Sequence, residues 1–457
     1  MISGTKHPFR VEVVEEGGRG RRGWLRCAIE KMVEFDTARM ESYFFETWQP
    51  VLYDALLVAS AVEFCDRTIP RPIHQWGRLF ELSLPVHDPE RWATQQVSES
   101  LHSALDFLTG DRWSVSFRPR AKPESKPRQG MFRLGSDVTS VIPFSDGIDS
   151  CAVAGILEEK LGRSLVKVRL GSLGSHGPER LHAFTSVPYR VNPGIHPFVE
   201  TSARSRGFKF ALVAGIAAYL AKADEIIVPE SGQGALGPSL VPVGQVYEDY
   251  RSHPLFAIRM ERLLRSLLGW RGRYVFPQLW LTKGETIAEF MKTTDNAGPL
   301  LAQTRSCWQQ SRQSSVAGKR RQCGICAACM LRRMSMHATN VGEPISTYVW
   351  EDLSTVTFES GAATGFEKRR VTRAMREYAI AGTLHLDQLA RLRNARSSEK
   401  ILDLSAFQIS RACELTAAEV RARLDRMLAR HAAEWENFLN YLGPDSFVAR
   451  WTDKVTQ

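Results

Sequence analysis

The chain has no long apolar segment among its 457 residues. Its longest apolar stretch, residues 210–221, is too short to cross a bilayer, and the first residues lack the apolar run of a secretory signal. We therefore expect a cytoplasmic protein that does not contact a membrane. The sequence also lacks internal repeats, so a repeat architecture is not expected.

Cysteine is scarce outside one short region. Four of the eight cysteines lie between residues 307 and 329, and the other four are scattered: Cys27, Cys65, Cys151 and Cys413. This distribution indicates metal ligation in a reducing compartment rather than a disulfide framework.

Acidic residues are absent from residues 300–340, and the whole chain carries a net charge of +10. This charge favours an acidic partner such as a nucleotide, RNA or an acidic protein surface, and a solvated basic face is the alternative. The segment at residues 145–150 is not a G-x-x-x-x-G-K-[ST] loop and lacks the G-x-G-x-x-G spacing of dinucleotide sites, and no Ser/His/Asp arrangement stands out along the chain. His176, His182 and His196 are interpreted as loop or core histidines.

A loop of small and acidic residues follows an apolar strand predicted at residues 141–144. The loop consists of Ser145, Asp146, Gly147, Ile148, Asp149 and Ser150, and it opens a predicted helix. At such a junction, free main-chain N–H groups and the positive end of the helix favour an anion such as phosphate. An ordinary strand-to-helix cap is the alternative.

The pattern of apolar residues divides the chain into four parts. Residues 1–120 mix strand and helix patterns and predict an N-terminal α+β domain, while residues 121–138, rich in proline and positive charge, predict a linker. Residues 139–345 alternate strands with helices, which predicts an α/β fold with a parallel sheet covered by helices. Residues 346–457 predict a helical C-terminal region.

The clustered cysteines have the spacing of metal ligands. Cys323, Cys326 and Cys329 form Cys-x-x-Cys-x-x-Cys, and Cys307 supplies a fourth thiolate across a fifteen-residue loop. Four thiolates suit tetrahedral Zn²⁺, and a closed set of four leaves no position for chemistry, so we expect a structural site. An iron–sulfur cluster and unliganded core cysteines are the alternatives.

Three segments together resemble 7-cyano-7-deazaguanine synthase, a family of PP-loop ATPases. They are residues 144–150, residues 279–286 (Leu-Trp-Leu-Thr-Lys-Gly-Glu-Thr), and residues 304–308 (Thr-Arg-Ser-Cys-Trp) with the cysteines that follow. The resemblance implies the parallel sheet of the adenine-nucleotide alpha-hydrolase fold. It also implies that ATP and Mg²⁺ activate 7-carboxy-7-deazaguanine as an acyl adenylate, with release of pyrophosphate and then AMP, for attack by ammonia.

The resemblance also implies roles for individual residues. The residues of the 145–150 loop would hold the ATP phosphates, with Asp149 also near Mg²⁺. Lys283 would neutralise charge on the departing pyrophosphate, and a solvated lysine at a helix start is the alternative. The four clustered cysteines would bind zinc.

The chain departs from the family pattern at several positions. Asp146 stands where glycine is usual, and a carboxylate beside phosphate costs free energy unless Mg²⁺ or a basic residue balances it. Arg204 lies where the family has a Pro-Gly-Arg-Asn segment, and Glu230 and Gln233 follow the next strand. We take these three as candidate substrate residues, with Glu230 pairing with a guanine-like edge; a glycine-rich loop without a ligand is the alternative.

The N-terminal and C-terminal extensions are not needed by a free small-molecule synthase. Long forms of the family with such extensions resemble those encoded in bacterial anti-phage defence systems, where the activated deazaguanine is thought to be passed to an amine of a partner protein. Two alternatives stay open: a tRNA-modifying PP-loop enzyme that binds RNA, and a non-catalytic nucleotide-binding scaffold subunit of a defence complex.

Overall fold

The computed structural model describes residues 7–37, 48–71, 77–121, 137–170, 184–187, 189–200, 204–244, 247–309, 314–394 and 398–453. The predicted linker lies mostly outside these residues, and so do His176 and His182. Within the part described, no helix combines the length and the apolar character needed to cross a membrane.

The chain folds into two compact units that interleave along the sequence. The first unit comprises Met1–Ser145, Leu161–Val228 and Asp249–Phe276. The second unit comprises Asp146–Lys160, Pro229–Glu248 and Pro277–Gln457. The four-part division read from the sequence stays a prediction.

The strands are short and lie mainly in the first unit. They are β1 (Phe9–Val14), β2 (Leu25–Ala28), β3 (Val33–Phe35), β4 (Leu79–Val86), β5 (Arg112–Pro119), β6 (Ser140–Pro143), β7 (Leu165–Leu170), β8 (Phe184–Val187), β9 (Tyr189–Val191), β10 (Glu225–Ile227), β11 (Arg273–Val275), β12 (Ser315–Val316) and β13 (Lys319–Arg320).

Helices make up most of the second unit. Along the chain the α-helices are α1 (Pro50–Thr68), α2 (Pro89–Ala93), α3 (Gln95–Thr109), α4 (Ile148–Leu161), α5 (Arg206–Ala221), α6 (Gly232–Ala235), α7 (Gly237–Leu240), α8 (Pro254–Leu268), α9 (Lys283–Thr293), α10 (Ala297–Ala302), α11 (Ala327–Ala338), α12 (Arg373–Arg391), α13 (Glu399–Cys413), α14 (Ala417–Leu442) and α15 (Phe447–Asp453).

The larger sheet of the first unit has five parallel strands in the order β11-β10-β6-β7-β8. The chain order reverses beside the central strand β6, because β7 and β8 lie on one side and β10 and β11 on the other. In open parallel sheets, ligands commonly bind beyond the carboxyl ends of the strands at such a reversal. The chain leaves this edge through the 145–150 loop after β6 and through the segment that follows β10.

A second sheet in the same unit has four parallel strands in the order β2-β1-β4-β5. Parallel neighbours need crossover connections, and helices supply two of them: α1 lies between β1 and β4, and α3 joins β4 to β5. Helix α1 packs on α5, and α3 packs on α8. One apolar core therefore runs through both sheets of the first unit. With the helices of the second unit, the fold is α/β with parallel sheets and a helical C-terminal region.

A buried ion network stabilises the first unit. Arg78 is 1% exposed, and its Nη2 lies 2.5 Å from Asp66 Oδ1 and 2.8 Å from Asp111 Oδ2. Arg71 bridges the same two carboxylates, each at 2.9 Å, and the main-chain N–H of Ser205 donates to Asp66 at 2.8 Å. The network thus connects α1, the chain before β4 and the chain before β5 with the start of α5.

Among the residues described, two apolar clusters lie in the interior of the second unit. One joins α4, α9 and α10 through buried side chains such as Ile148, Ile287 and Phe290. The other surrounds the clustered cysteines and includes Trp350 and Trp435. A capping box formed by Thr416 and Glu419 begins α14, whose apolar stripe is buried.

Candidate functional site

The 145–150 loop turns directly into α4. The main-chain N–H of Cys151 and the hydroxyl of Ser150 both donate to the carbonyl oxygen of Gly147, each at 3.1 Å. This oxygen starts the hydrogen bonding of the helix, so the N–H groups of the first turn have no partner within α4. Ile148 is buried in the apolar cluster, so only its main chain is available to a ligand. Ser145 belongs to the first unit and Asp146 begins the second.

Asp149, Lys283 and Glu230 form a compact group of charges in the second unit, which we call the charge cluster. The ammonium of Lys283 pairs with Asp149 and lies 3.7 Å from Glu230 Oε1. Lys283 is the first residue of α9, and Asp149 lies in the first turn of α4. Gly234 lets Glu230 reach this position, because a Cβ at residue 234 would come within 1.9 Å of Glu230 Oε1.

The surroundings of Lys283 favour its charged form. Its side chain is only 8% exposed, and burial by itself lowers the pKa of the ammonium. The carboxylates of Asp149 and Glu230 outweigh burial and raise the pKa of Lys283 above its ordinary range. A buried positive charge is therefore held at the N-terminal turn of α4, where an anion is already favoured.

The start of α9 is fixed by the side chain of Gln233. Gln233 is buried; its Oε1 accepts from the main-chain N–H of Lys283 at 2.8 Å, and its Nε2 lies 2.7 Å from His431 Nδ1. Because Gln233 Nε2 is a donor, His431 Nδ1 accepts, and His431 Nε2 donates to Leu386 O at 2.9 Å. Burial lowers the pKa of His431 to about 4, which favours this neutral form. Gln233 thus holds the start of α9 in place, and its contact with substrate stays a prediction.

Helix α14 supports the same helix start through two further contacts. The hydroxyl of Thr282 donates to Glu434 Oε1 at 2.7 Å across 152 residues of sequence. Arg426 Nη1 donates to Glu285 Oε2 at 2.7 Å, and Thr282 and Glu285 form the capping box of α9. The helical C-terminal region therefore determines where Lys283 lies. The sequence carried no signal for His431, Glu434 or Arg426 as supporting residues, because they depend on long-range contacts.

The four clustered cysteines come together in the second unit. Their Sγ atoms all lie within 4.8 Å of one another, and Cys323 Sγ is 3.8 Å from Cys329 Sγ. A tetrahedral Zn²⁺ with Zn–S bonds of about 2.3 Å separates its sulfurs by about 3.8 Å, so the donor set and spacing fit zinc. Gly324 permits the tight turn between two ligands: its φ is +84°, and a Cβ there would come within 2.9 Å of Trp350 O.

The surroundings of the cysteines favour a thiolate at Cys307 and neutral thiols at Cys323 and Cys329. Main-chain N–H groups donate to two of the sulfurs, Cys323 N to Cys307 Sγ at 3.2 Å and Cys326 N to Cys323 Sγ at 3.3 Å. Hydrogen bonds from the other three thiols lower the pKa of Cys307, whereas burial raises the pKa of Cys323 and Cys329. A bound cation would allow the buried thiols to ionise as well. The cluster is a candidate structural metal site, as the spacing predicted.

We expect the purified protein to contain one metal ion per chain at this cluster. The double variant Cys326→Ala/Cys329→Ala should lose that metal and show a lower thermal unfolding midpoint, because two of four ligands are gone. Elemental analysis by mass spectrometry measures the metal. Cys413→Ala, which removes a half-buried cysteine outside the cluster, is the matched control and should keep it. Iron with strong visible absorption would contradict zinc in favour of an iron–sulfur cluster.

Asp149 also has the chemistry that Mg²⁺ requires. Its Oδ2 pairs with Lys283, while its Oδ1 is buried and has no hydrogen-bond partner among the residues described. An unsatisfied carboxylate oxygen is a suitable hard ligand for Mg²⁺. Asp149 is therefore the residue that would hold the ion beside the loop.

Arg204 lies in the first unit, beside the buried ion network. Its Nη1 donates to Thr109 O at 3.2 Å. Burial and the positive charge of Arg71 lower the pKa of Arg204 to about 10, so it remains cationic at neutral pH. Of the candidate substrate residues, Glu230 and Gln233 share the second unit with Lys283 and Arg204 does not.

Comparison with known proteins does not assign this chain to a class or to a particular protein. No protein-family model matches it, and no curated protein or solved structure shows significant similarity. The function must therefore be argued from the chemistry of the site.

Proposed function

We propose that this chain is an ATP-dependent carboxylate-activating enzyme of the PP-loop type. The observation that carries the proposal is the charge cluster at the start of α4, immediately after the 145–150 loop. A helix N-terminus favours an anion, and Lys283 beside it can stabilise pyrophosphate as it departs once Mg²⁺ and further cations balance the carboxylates of Asp149 and Glu230. The position of the loop after the central strand of a five-stranded parallel sheet supports the same proposal.

The proposed reaction has two steps. A carboxylate oxygen of the acid attacks the α-phosphorus of ATP, and the bond from that phosphorus to the bridging oxygen breaks, so pyrophosphate leaves with the bonding electrons. An amine then attacks the acyl carbon of the adenylate, AMP leaves, and an amide forms. Lys283 stabilises the charge that develops on pyrophosphate. Mg²⁺ held by Asp149 would supply Lewis-acid stabilisation.

The proposed acid is 7-carboxy-7-deazaguanine or a similar heterocyclic acid. Glu230 is the candidate to read a guanine-like edge, because its carboxylate remains 25% exposed beside Lys283. The acceptor is ammonia, which gives an amide and after a second activation a nitrile, or an amine of a partner protein in anti-phage defence. Both acceptors use the same acyl adenylate, so the first step is the one to test.

The test incubates the protein with ATP, Mg²⁺ and 7-carboxy-7-deazaguanine, with and without ammonium, and follows AMP and the mass of the deazaguanine. AMP formation should require the acid and should be lost in Ser145→Ala. Ser405→Ala, on α13, is the matched control and should retain the rate. The product mass separates amide, nitrile and protein adduct. If a folded, metal-loaded protein releases no AMP with this acid or with related acids, the proposal is wrong.

A tRNA-modifying PP-loop enzyme is the second candidate. It is favoured by the side chain of Trp308, 52% exposed, in a stretch of chain without acidic residues. Exposed aromatic and basic side chains together suit single-stranded RNA. This candidate predicts RNA binding whose affinity falls steeply with salt concentration, measured by titration at several ionic strengths.

A further inference from the structure

One short segment connects the 145–150 loop to the metal site. The main-chain N–H of Arg305 donates to the carbonyl oxygen of Asp146 at 2.6 Å, and Cys307, two residues later, is a member of the cysteine cluster. Arg332, fully buried in α11, donates to Thr304 Oγ1 at 2.6 Å and pairs with Glu343 at 2.7 Å. The segment before Cys307 is therefore held rigidly beside the loop.

The guanidinium of Arg305 has an unusual environment. Its Nη2 donates to Arg321 O at 2.9 Å, while its Nε is buried and without a hydrogen-bond partner among the described residues. No carboxylate of the described chain pairs with it, and the sequence has no acidic residue from 297 to 342. Neighbouring Arg321, by contrast, pairs with Glu351 at 2.6 Å. An unsatisfied N–H of a cation in such a place calls for an anionic partner.

A second arginine lies close to the first. The strands β12 and β13 form a hairpin whose turn, Ala317 and Gly318, has φ angles of +47° and +76°. Its second strand exposes Lys319 and Arg320, and the next residue, Arg321, supplies the carbonyl that Arg305 contacts. Arg320 directly precedes Arg321, so its main chain adjoins the carbonyl that the guanidinium of Arg305 contacts. Two neighbouring arginines suit the several oxygens of a polyphosphate.

We propose that Arg305 and Arg320 form a binding site for the β- and γ-phosphates of a nucleoside triphosphate, and for pyrophosphate as it leaves. This inference rests on the proposed function and adds the residues that hold the leaving group. The charges support it: two carboxylates, Asp149 and Glu230, already face Lys283, so a triphosphate held there would need further cations. Arg305 is held beside the loop because its main-chain N–H donates to the carbonyl oxygen of Asp146.

The contacts favour a small phosphate ligand over a nucleic acid. Arg305 is half-buried and tied by both its main chain and its Nη2, so it can contact a small anion held at the loop. A long RNA would be contacted first by the exposed side chains of Lys319 and Trp308. Replacing Arg305 should therefore weaken the binding of a small phosphate ligand, whereas replacing Lys319 or Trp308 should weaken the binding of RNA.

Calorimetric titration of the metal-loaded full chain with inorganic pyrophosphate, ATP and AMP tests the inference. Arg305→Ala and Arg320→Ala should each weaken the binding of pyrophosphate and of ATP by about 10-fold or more. They should weaken the binding of AMP by less than about 2-fold, because AMP has no β- or γ-phosphate to contact the arginines. Lys319→Ala, in the same hairpin, is the matched control and should bind all three as the parent does. Arg305→Lys keeps the charge and should retain part of the affinity for pyrophosphate. It replaces Arg305→Ala in the test if that variant folds poorly.

The outcomes distinguish this inference from the proposed function. Unchanged pyrophosphate affinity in both arginine variants, with metal content intact, overturns the inference even when AMP formation proceeds. Arginine-dependent pyrophosphate binding without AMP formation from any acid supports the phosphate site and contradicts the enzyme proposal. Arginine variants that lose affinity for a short single-stranded RNA but not for pyrophosphate also overturn the inference, because they would assign the pair to nucleic acid.

Discussion

Replacing Lys283 with methionine is expected to lower the rate of AMP formation by about 10²–10³-fold, because removal of one preorganised charge that stabilises a developing anion has effects of this size. The substitution keeps a side chain of similar length in a largely buried position. It also leaves the carboxylates of Asp149 and Glu230 facing each other without a cation. The rate is measured as AMP released under saturating ATP and acid.

The controls separate charge from packing. Lys283→Arg retains the positive charge and should keep more activity than Lys283→Met, although the guanidinium does not reproduce the geometry of the ammonium. Lys292→Met, in the last turn of the same helix, should leave the rate unchanged. If Lys283→Met folds and releases AMP at the parent rate, Lys283 does not stabilise the leaving group.

The pKa of Lys283 also predicts how its ion pairs depend on pH. The folded pKa lies above the ordinary value of 10.5, so the folded state holds this proton more tightly than the unfolded state. The contribution of Lys283 to stability is complete below its unfolded pKa and is lost as the pH rises through its folded pKa. Stability of the parent protein should therefore fall at strongly alkaline pH by more than that of Lys283→Met.

The largest effect on stability is expected from the ion network of the first unit. Arg78→Met should lower the free energy of unfolding by about 3–5 kcal/mol, because it leaves two buried carboxylates, Asp66 and Asp111, without their central partner. Although burial raises the pKa of Asp66, the charges of Arg78 and Arg71 lower it below its ordinary value. The stabilisation is thus present at neutral pH and is lost as the pH falls through the folded pKa of Asp66.

Chemical denaturation of the two matched arginine variants measures this difference. Arg112 pairs with Asp106 at 2.9 Å but is 78% exposed, so Arg112→Met should cost no more than about 1 kcal/mol. Both variants replace an arginine with methionine and remove at least one ion pair, but Arg78 is buried and Arg112 is exposed. A loss for Arg78→Met as small as that for Arg112→Met would show that the network does not stabilise the first unit.

Much of the secondary structure could be predicted from the sequence. The strand predicted at residues 141–144 is present as β6, Ser140–Pro143, and the helix predicted after it is present as α4. Helix α4 begins within the 145–150 loop, at Ile148, because the Gly147 carbonyl accepts the first helical hydrogen bond. Such features depend on residues within one or two turns of each other, so local patterns suffice.

The candidate site could be predicted only in part. The spacing of the cysteines predicted their cluster, and the loop composition predicted the start of α4. The contact between Asp149 and Lys283 joins residues 134 positions apart, and the role of Gln233 depends on His431, 198 positions away. No local pattern distinguishes His431 from an ordinary core histidine.

The sequence by itself determined the types of most elements, the phosphate-type loop and the spacing of the metal ligands, because each follows from residues close along the chain. The tertiary structure alone decided which charges meet. It placed Lys283 between two carboxylates, selected one tautomer of His431, and brought Arg305 beside the loop at Asp146. These arrangements join segments that are far apart in sequence. Hydrogen bonds form only at short distances, and the energy of an ion pair falls as its charges separate, so only the folded chain decides which groups interact.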